Sequence, residues 1–267
     1  MVKFIYALLF FFFIQESFAS SNNVMILGTY RSVDDFKLIK FNNDNLISFI
    51  DDESTTTDEL WNRTFHYQYS LHKGIIKITL EDKRYFIGLI SDIFFVLYDG
   101  INKAPLFFGG KRIKPELIYS PNSFATTSFL TEHDITYKSL NLGNLNSDSP
   151  WVEGIDGYGI GEKISFDINQ PYLIFFSGYF SCKNPALYEM NSRVKILEII
   201  SSNTGKSKKI ELEDVAGGQQ INISEIVDCV GFKKDRVELE IIDVYKGKKY
   251  EDTCINAILI GRSDALH

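Results

Sequence analysis

IIKITLEDKRYFIGLISDIFFVLYDG, residues 75–100, reads as three strands and the turns between them. Ile76, Ile78 and Leu80 alternate with Lys77, Thr79 and Glu81. A period of two puts each set on its own face of a sheet, which makes this strand half-buried. Glu81-Asp82-Lys83 turns the chain into 85–90, and Ser91-Asp92 leads into 93–98. Asp99-Gly100 then closes that strand with a hairpin signal. Working outward, strands are expected at 25–30, 36–41 and 46–50, and at 106–108 before Gly109-Gly110. Short strands joined by tight turns predict an antiparallel meander or small barrel over 24–112. No motif marks a ligand cavity in it, and a small barrel filled by its own side chains serves as a structural unit without one.

The N-terminus has a different character. Lys3 precedes eleven apolar residues, 4–14, and Ser17-Phe18-Ala19 sets small residues before a cut ahead of Ser20. This is the layout of a secretory signal peptide over 1–19, since a spanning helix needs about 20 apolar residues. The expected location is periplasmic or extracellular, with no integral membrane segment once the signal is removed. Lys3 and Glu16 cancel, so the mature chain keeps the full net charge of −7. An acidic surface repels phosphate backbones and anionic lipid heads, so nucleic acid is not an expected partner. With 45% hydrophobic and 14% aromatic residues the chain has ample material for packed cores. The histidines, at 66, 72, 133 and 267, are scattered, and none of the three cysteines has metal-ligand spacing. No cofactor is implied.

The pattern stops between 111 and 120, where Pro115, Lys111, Arg112 and Lys114 mark a boundary. Strands return with Ile164, Phe166 and Ile168, and Asn169-Gln170-Pro171 turns the chain into the apolar run 172–178. A continuous apolar run suits a strand covered on both faces. Further strands are expected at 194–201, 208–212, 237–244 and 254–260, with helix near 187–191 and 221–227. The set predicts an antiparallel β-sandwich over 119–260. The fold class is all-β.

Successive antiparallel strands reverse direction, so their connections fall alternately at two ends. One end receives the Asn169 turn, 201–207 and 224–236. The other receives 143–161, 178–192, 214–219 and 245–253. That second end collects Trp151, Tyr158, Tyr179, Tyr188, Tyr245 and Tyr250 with Glu153, Asp156, Arg193, Lys248 and Asp252. Rings that stack on sugar C–H faces, beside groups that bond hydroxyls, make a carbohydrate site. The same rings also make good core plugs, and residue chemistry leaves both readings open. Cys182 and Cys254 fall at this end and Cys229 at the other. A disulfide, if one forms, therefore joins Cys182 to Cys254.

The same region carries an ordered string: Ser123-Phe124, Leu130-Thr131-Glu132, Tyr137, Asn141-Leu142 and Pro150-Trp151-Val152-Glu153-Gly154. It continues with Gly157-Tyr158-Gly159-Ile160-Gly161-Glu162, Gly178-Tyr179, Asn191-Ser192-Arg193-Val194-Lys195, Asp243-Val244-Tyr245-Lys246-Gly247, Lys249-Tyr250 and Asp252-Thr253-Cys254-Ile255. This string resembles the discoidin-like, galactose-binding-like glycan-binding domain attached to bacterial NAD-glycohydrolase toxins. The resemblance implies a jelly-roll sandwich that binds glycan through loops at one end. It turns the aromatic end towards a ligand set of Trp151, Glu153, Tyr158, Tyr179, Arg193, Tyr245, Lys248, Tyr250 and Asp252. After Cys254-Ile255 the family tends to read Ser-Glu-Ile. Here Asn256-Ala257-Ile258 lacks a carboxylate that could support calcium. No NAD-cleaving domain is expected either, since the other half is the short meander.

The expected function is therefore a secreted, non-catalytic protein that binds glycan or a glycosylated surface. The alternative is an exported protein-interaction or structural module with no sugar site. Glu153 and Asp252 are the one pair of carboxylates at that end that could face each other across a cleft, and hydroxyl acceptance or pairing with Arg193 and Lys248 explains them more simply than glycoside hydrolysis.

Overall fold

The computed structural model describes residues 26–32, 36–51, 59–111, 118–121, 123–229 and 233–261. The stretch expected to be a signal peptide, 1–19, lies outside them.

Eight strands form the first half: β1 Gly28–Ser32, β2 Lys37–Phe41, β3 Leu46–Asp51, β4 Arg63–His72, β5 Ile75–Leu80, β6 Tyr85–Ile90, β7 Phe94–Tyr98 and β8 Phe107–Gly110. Each pairs antiparallel with the next, and β8 pairs back with β1 through Arg31 and Gly110, which closes a barrel. Closure leaves no unpaired edge. The interior is filled by Ile39, Ile47, Ile76, Ile78 and a group of rings that includes Tyr30, Phe41, Phe49, Phe65 and Phe95. Strand β4 was not among the expected strands. It alternates buried Phe65 and Tyr67 with exposed His66 and Gln68.

The second half contains β9 Ile118–Tyr119, β10 Ala125–Thr126, the hairpin β11 Thr131–Glu132 and β12 Ile135–Thr136, β13 Trp151–Val152, β14 Lys163–Ile168 and β15 Tyr172–Ser177. Then come α1 Leu187–Met190, β16 Ser192–Ser201, β17 Ser207–Glu211, β18 Gln219–Asn222, β19 Asp235–Tyr245 and β20 Thr253–Gly261. One layer runs β10-β14-β19-β16-β17 and the other β18-β15-β20, with β9 and β13 also on β20. The layers join where Ser192 and Arg193 of β16 run parallel to Thr253 and Cys254 of β20. Ile164, Phe166, Leu197, Leu239 and Ile241 of the first layer meet Leu173, Phe175, Ile255 and Ile258 of the second in one core.

The helix expected over 221–227 is corrected. Gln219–Asn222 is a strand paired with Tyr172–Phe175, and residues 224–226 form a turn. The short helix near 187–191 is present as α1. The missed strand β18 carries the chain from one end of the sandwich to the other, so the alternation of ends still holds.

A third core joins the halves. The outer faces of β6 and β7 (Ile87, Leu89, Phe94, Val96, Tyr98) pack on the outer face of β15 and β20 (Ile174, Phe176, Ala257, Leu259) together with Leu145 and Phe180. The Tyr98 and Phe180 rings lie 4.9 Å apart, and the Tyr98 hydroxyl donates to Leu145 O at 2.5 Å. β15 is covered on both faces because the barrel covers the second one. Among the described residues, no helix is long and apolar enough to cross a membrane.

Candidate functional site

The loops 153–162, 178–191, 212–218 and 246–252 do converge on one end, and the β11–β12 hairpin joins them. Their mutual hydrogen bonds fix this. Ser192 N donates to Asp252 O at 2.9 Å, Thr253 Oγ1 to Tyr158 O at 2.8 Å and Gly154 N to Ser128 Oγ at 2.8 Å.

Three members of the expected ligand set belong to the framework under this end and not to its surface. Trp151 is 0% exposed, paired across β20 with Ile255, and its Nε1 donates to Ser128 O at 3.1 Å. It plugs the core because a short strand at the head of the loop points its side chain inward. Glu153 is also 0% exposed. Its carboxylate accepts Ile155 N at 2.8 Å and Thr253 N at 3.2 Å. Burial raises the Glu153 carboxyl above its ordinary range and outweighs those two hydrogen bonds. Arg193 is 4% exposed. Its Nε and Nη2 fork onto Asp214 at 3.0 and 2.7 Å, and its Nη1 donates to Asn191 O and Lys246 O. Fork-on-fork pairing of this kind is strong and directional. The guanidinium lies 5.3 Å from the Tyr188 ring centroid and 6.0 Å from that of Tyr245. Gly178 makes room for it at φ +87, where a Cβ would sit 2.6 Å from the Tyr188 ring and 2.8 Å from Arg193 Cγ. Burial works to raise the Asp214 carboxyl, but hydrogen bonds from Arg193 and Lys73 prevail and hold it below its usual range.

Tyr245 is a buttress, half-buried, with its hydroxyl donating to Leu212 O at 2.8 Å. Its Asp214, Tyr188 and Leu212 neighbours make clear what the motif Asn191-Ser192-Arg193 with Tyr245 encodes. It is a clamp that ties three loops together, 178–191, 212–218 and 246–252. Much of the string that carries the family resemblance is scaffold of this kind.

The surface is made by the rest. Tyr179 and Tyr137 meet edge to face, with centroids 6.1 Å apart. Burial, then the neighbouring Tyr137 hydroxyl, pushes the Tyr179 phenol up. Tyr158 is half-buried under Lys246, whose Nζ is 4.5 Å from its centroid. Tyr250 is 37% exposed, with Lys249 Nζ 4.7 Å from its centroid. Lys248 is exposed and pairs with Glu189 at 3.0 Å. Asp252 is half-buried, and burial, with Glu132 and Glu251 nearby, raises its carboxyl. Tyr137 was missed as a surface residue, although it stands within the family string. Two open grooves, of about 340 and 300 Å³, lie elsewhere, beside His66 and Glu81 on the barrel and beside Tyr119 and Asn169 at the far end of the sandwich.

Cys182, Cys254 and Cys229 are free thiols. Cys182 is packed into the seam with the barrel, and the Cys254 thiol is turned to the Asp252 carbonyl at 3.8 Å. Among the described residues, no group of three or more His, Cys, Asp or Glu is placed to hold a metal ion.

A two-layered sandwich with its loops clamped at one end is a discoidin-like module. Residues 119–261, more than half of the chain, match the NAD glycohydrolase translocation F5/8 type C domain, and the chain belongs to that family. No curated protein matches it. Among solved structures it is similar to a two-domain esterase active on acetylated mannans, at 8% identity and TM-score 0.31 over 58% of this chain and 38% of that one. The same esterase co-crystallised with mannopentaose gives 10% identity and TM-score 0.30 over 61% and 40%. The chain thus spans about two fifths of the length of those proteins.

Proposed function

We propose that the chain is an exported, non-catalytic binding protein that holds glycan on the loop end of its sandwich. The observation that carries the reading is the set of tyrosines (137, 158, 179 and 250) that four loops present at the surface, around Asp252 and Lys248. One exposed ring, that of Tyr250, and three half-buried ones beside hydroxyl-bonding groups suit a shallow saccharide site. The non-catalytic part rests on Glu153. Its oxygens are already held by two backbone N–H groups beneath the surface, so it has no cleft across which to work with Asp252. Shallow sugar sites are weak singly, and repetition on a surface would supply avidity.

A screen of the full mature chain on a glycan array tests this. Retention of a glycan, lost in Tyr179→Ala and Tyr250→Ala while the melting temperature stays close to that of the parent, is the expected result. A blank array refutes it. One observation favours the second reading, a protein partner. Phe129, Ile135, Ile155 and Ile160 at the same end are each 42–53% exposed, and a blank array would transfer the assignment to that apolar rim.

A further inference from the structure

The turn between β4 and β5 consists of Lys73 and Gly74, and both take positive φ, +46 and +75. A two-residue hairpin turn of this kind strongly prefers Asn-Gly or Asp-Gly, because a long L side chain rarely adopts the left-handed region. The barrel nevertheless places a lysine there. Lysine can do one thing at this position that asparagine cannot, which is to reach across the seam. Lys73 Nζ lies 2.5 Å from Asp214 Oδ2 and 3.4 Å from Glu189 Oε1. The turn also fits closely. Ala216 N donates to Lys73 O at 2.8 Å, and a Cβ on Gly74 would stand 2.8 Å from Gly217 N.

We infer that the barrel is the brace of the recognition loops, with Lys73 as the positioning residue. The path is continuous. Asp214 accepts both the Lys73 ammonium and the Arg193 fork. Glu189, on α1, accepts Lys73 and Lys248. α1 in turn holds the loop that carries the exposed tyrosine: Lys248 N donates to Glu189 O at 2.9 Å, and Lys249 N and Tyr250 N donate to Met190 O at 3.1 and 2.8 Å. Removing the ammonium leaves Asp214 and Glu189 with one cation fewer, and the ion pairing of α1 with the barrel falls back on His72 Nε2, 3.5 Å from Glu189 Oε1. The inference rests on the loop end being the recognition face. Its test uses no ligand, so its outcome is separate from that of the glycan array.

The experiment is hydrogen–deuterium exchange on the full chain carrying Lys73→Asn, with Lys73→Arg beside it. Asparagine suits the turn better than lysine, so loss of the turn itself cannot explain a change. The expected result is exchange faster by about tenfold or more at 187–190 and 247–250, with β4 and β5 amides as protected as before. Lys73→Arg, which keeps a cation within reach, should restore most of the protection. Unchanged exchange in those loops in Lys73→Asn, or an arginine variant as mobile as the asparagine one, would overturn the brace.

Discussion

Cutting the chain to begin at residue 118 removes the barrel and exposes the outer face of β15 and β20. The residues concerned are large and dry: Ile174 and Phe176 are 0% exposed, Phe180 is 1% and Leu259 is 6%. Full burial of such a side chain contributes about 1.5–3 kcal/mol. If the barrel supplies roughly half of that burial for these four, its loss costs about 3–6 kcal/mol. Domains are typically stable by about 5–15 kcal/mol, so this is a large fraction of the whole. At about 2–4 °C per kcal/mol for a domain of this size, the melting temperature should fall on the order of 10–20 °C. The assay is thermal and urea unfolding of the fragment against the full chain, with dye binding to report exposed apolar surface. The full chain should melt in one transition. A fragment that melts within about 3 °C of the full chain and binds no dye would refute the reasoning, and would show that the third core contributes nothing the sandwich cannot do without.

Two further outcomes are expected. Trp151→Ala should cost about 3–5 kcal/mol, as a fully buried aromatic does, whereas Tyr250→Ala should cost under about 0.5 kcal/mol; near-equal losses in thermal unfolding would contradict the division into framework and surface. Hydrogen bonds from Lys248, then Lys73, hold the Glu189 carboxyl down at about 2, below its ordinary 4.5. A depressed carboxylate stabilises the fold above its unfolded pKa, and that contribution is lost as pH falls from about 4.5 towards 2. With solvent screening of the exposed Lys248 it amounts to about 1–2 kcal/mol, so Glu189→Gln should lower the melting temperature at pH 7 and match the parent near pH 2. Glu153, whose carboxyl is raised, acts with the opposite sign and blunts the acid limb. A Glu189→Gln deficit that persists unchanged to pH 2 would rule the pairing out.

The sequence by itself determined which segments are strands wherever the period of two is unbroken and the turns are marked. Ile76, Ile78 and Leu80, and the Asp99-Gly100 turn, are of this kind. It also showed that 172–178 has two apolar faces, and alternation of direction gathered the right loops at one end. It misread 221–227, where a few residues with Ser224-Glu225 look helical in isolation. Pairing with β15 overrides that local preference. What only the tertiary structure decided is which apolar faces meet and which rings point outward. Trp151 and Tyr250 are both aromatic residues at loop ends, and one is a core plug while the other is exposed. Lys73 looks like an ordinary surface lysine until Asp214, 141 residues away, is beside it. Periodicity is a local property of the chain, but burial and charge pairing depend on neighbours distant in sequence, and the approach of barrel to sandwich is what supplies them here.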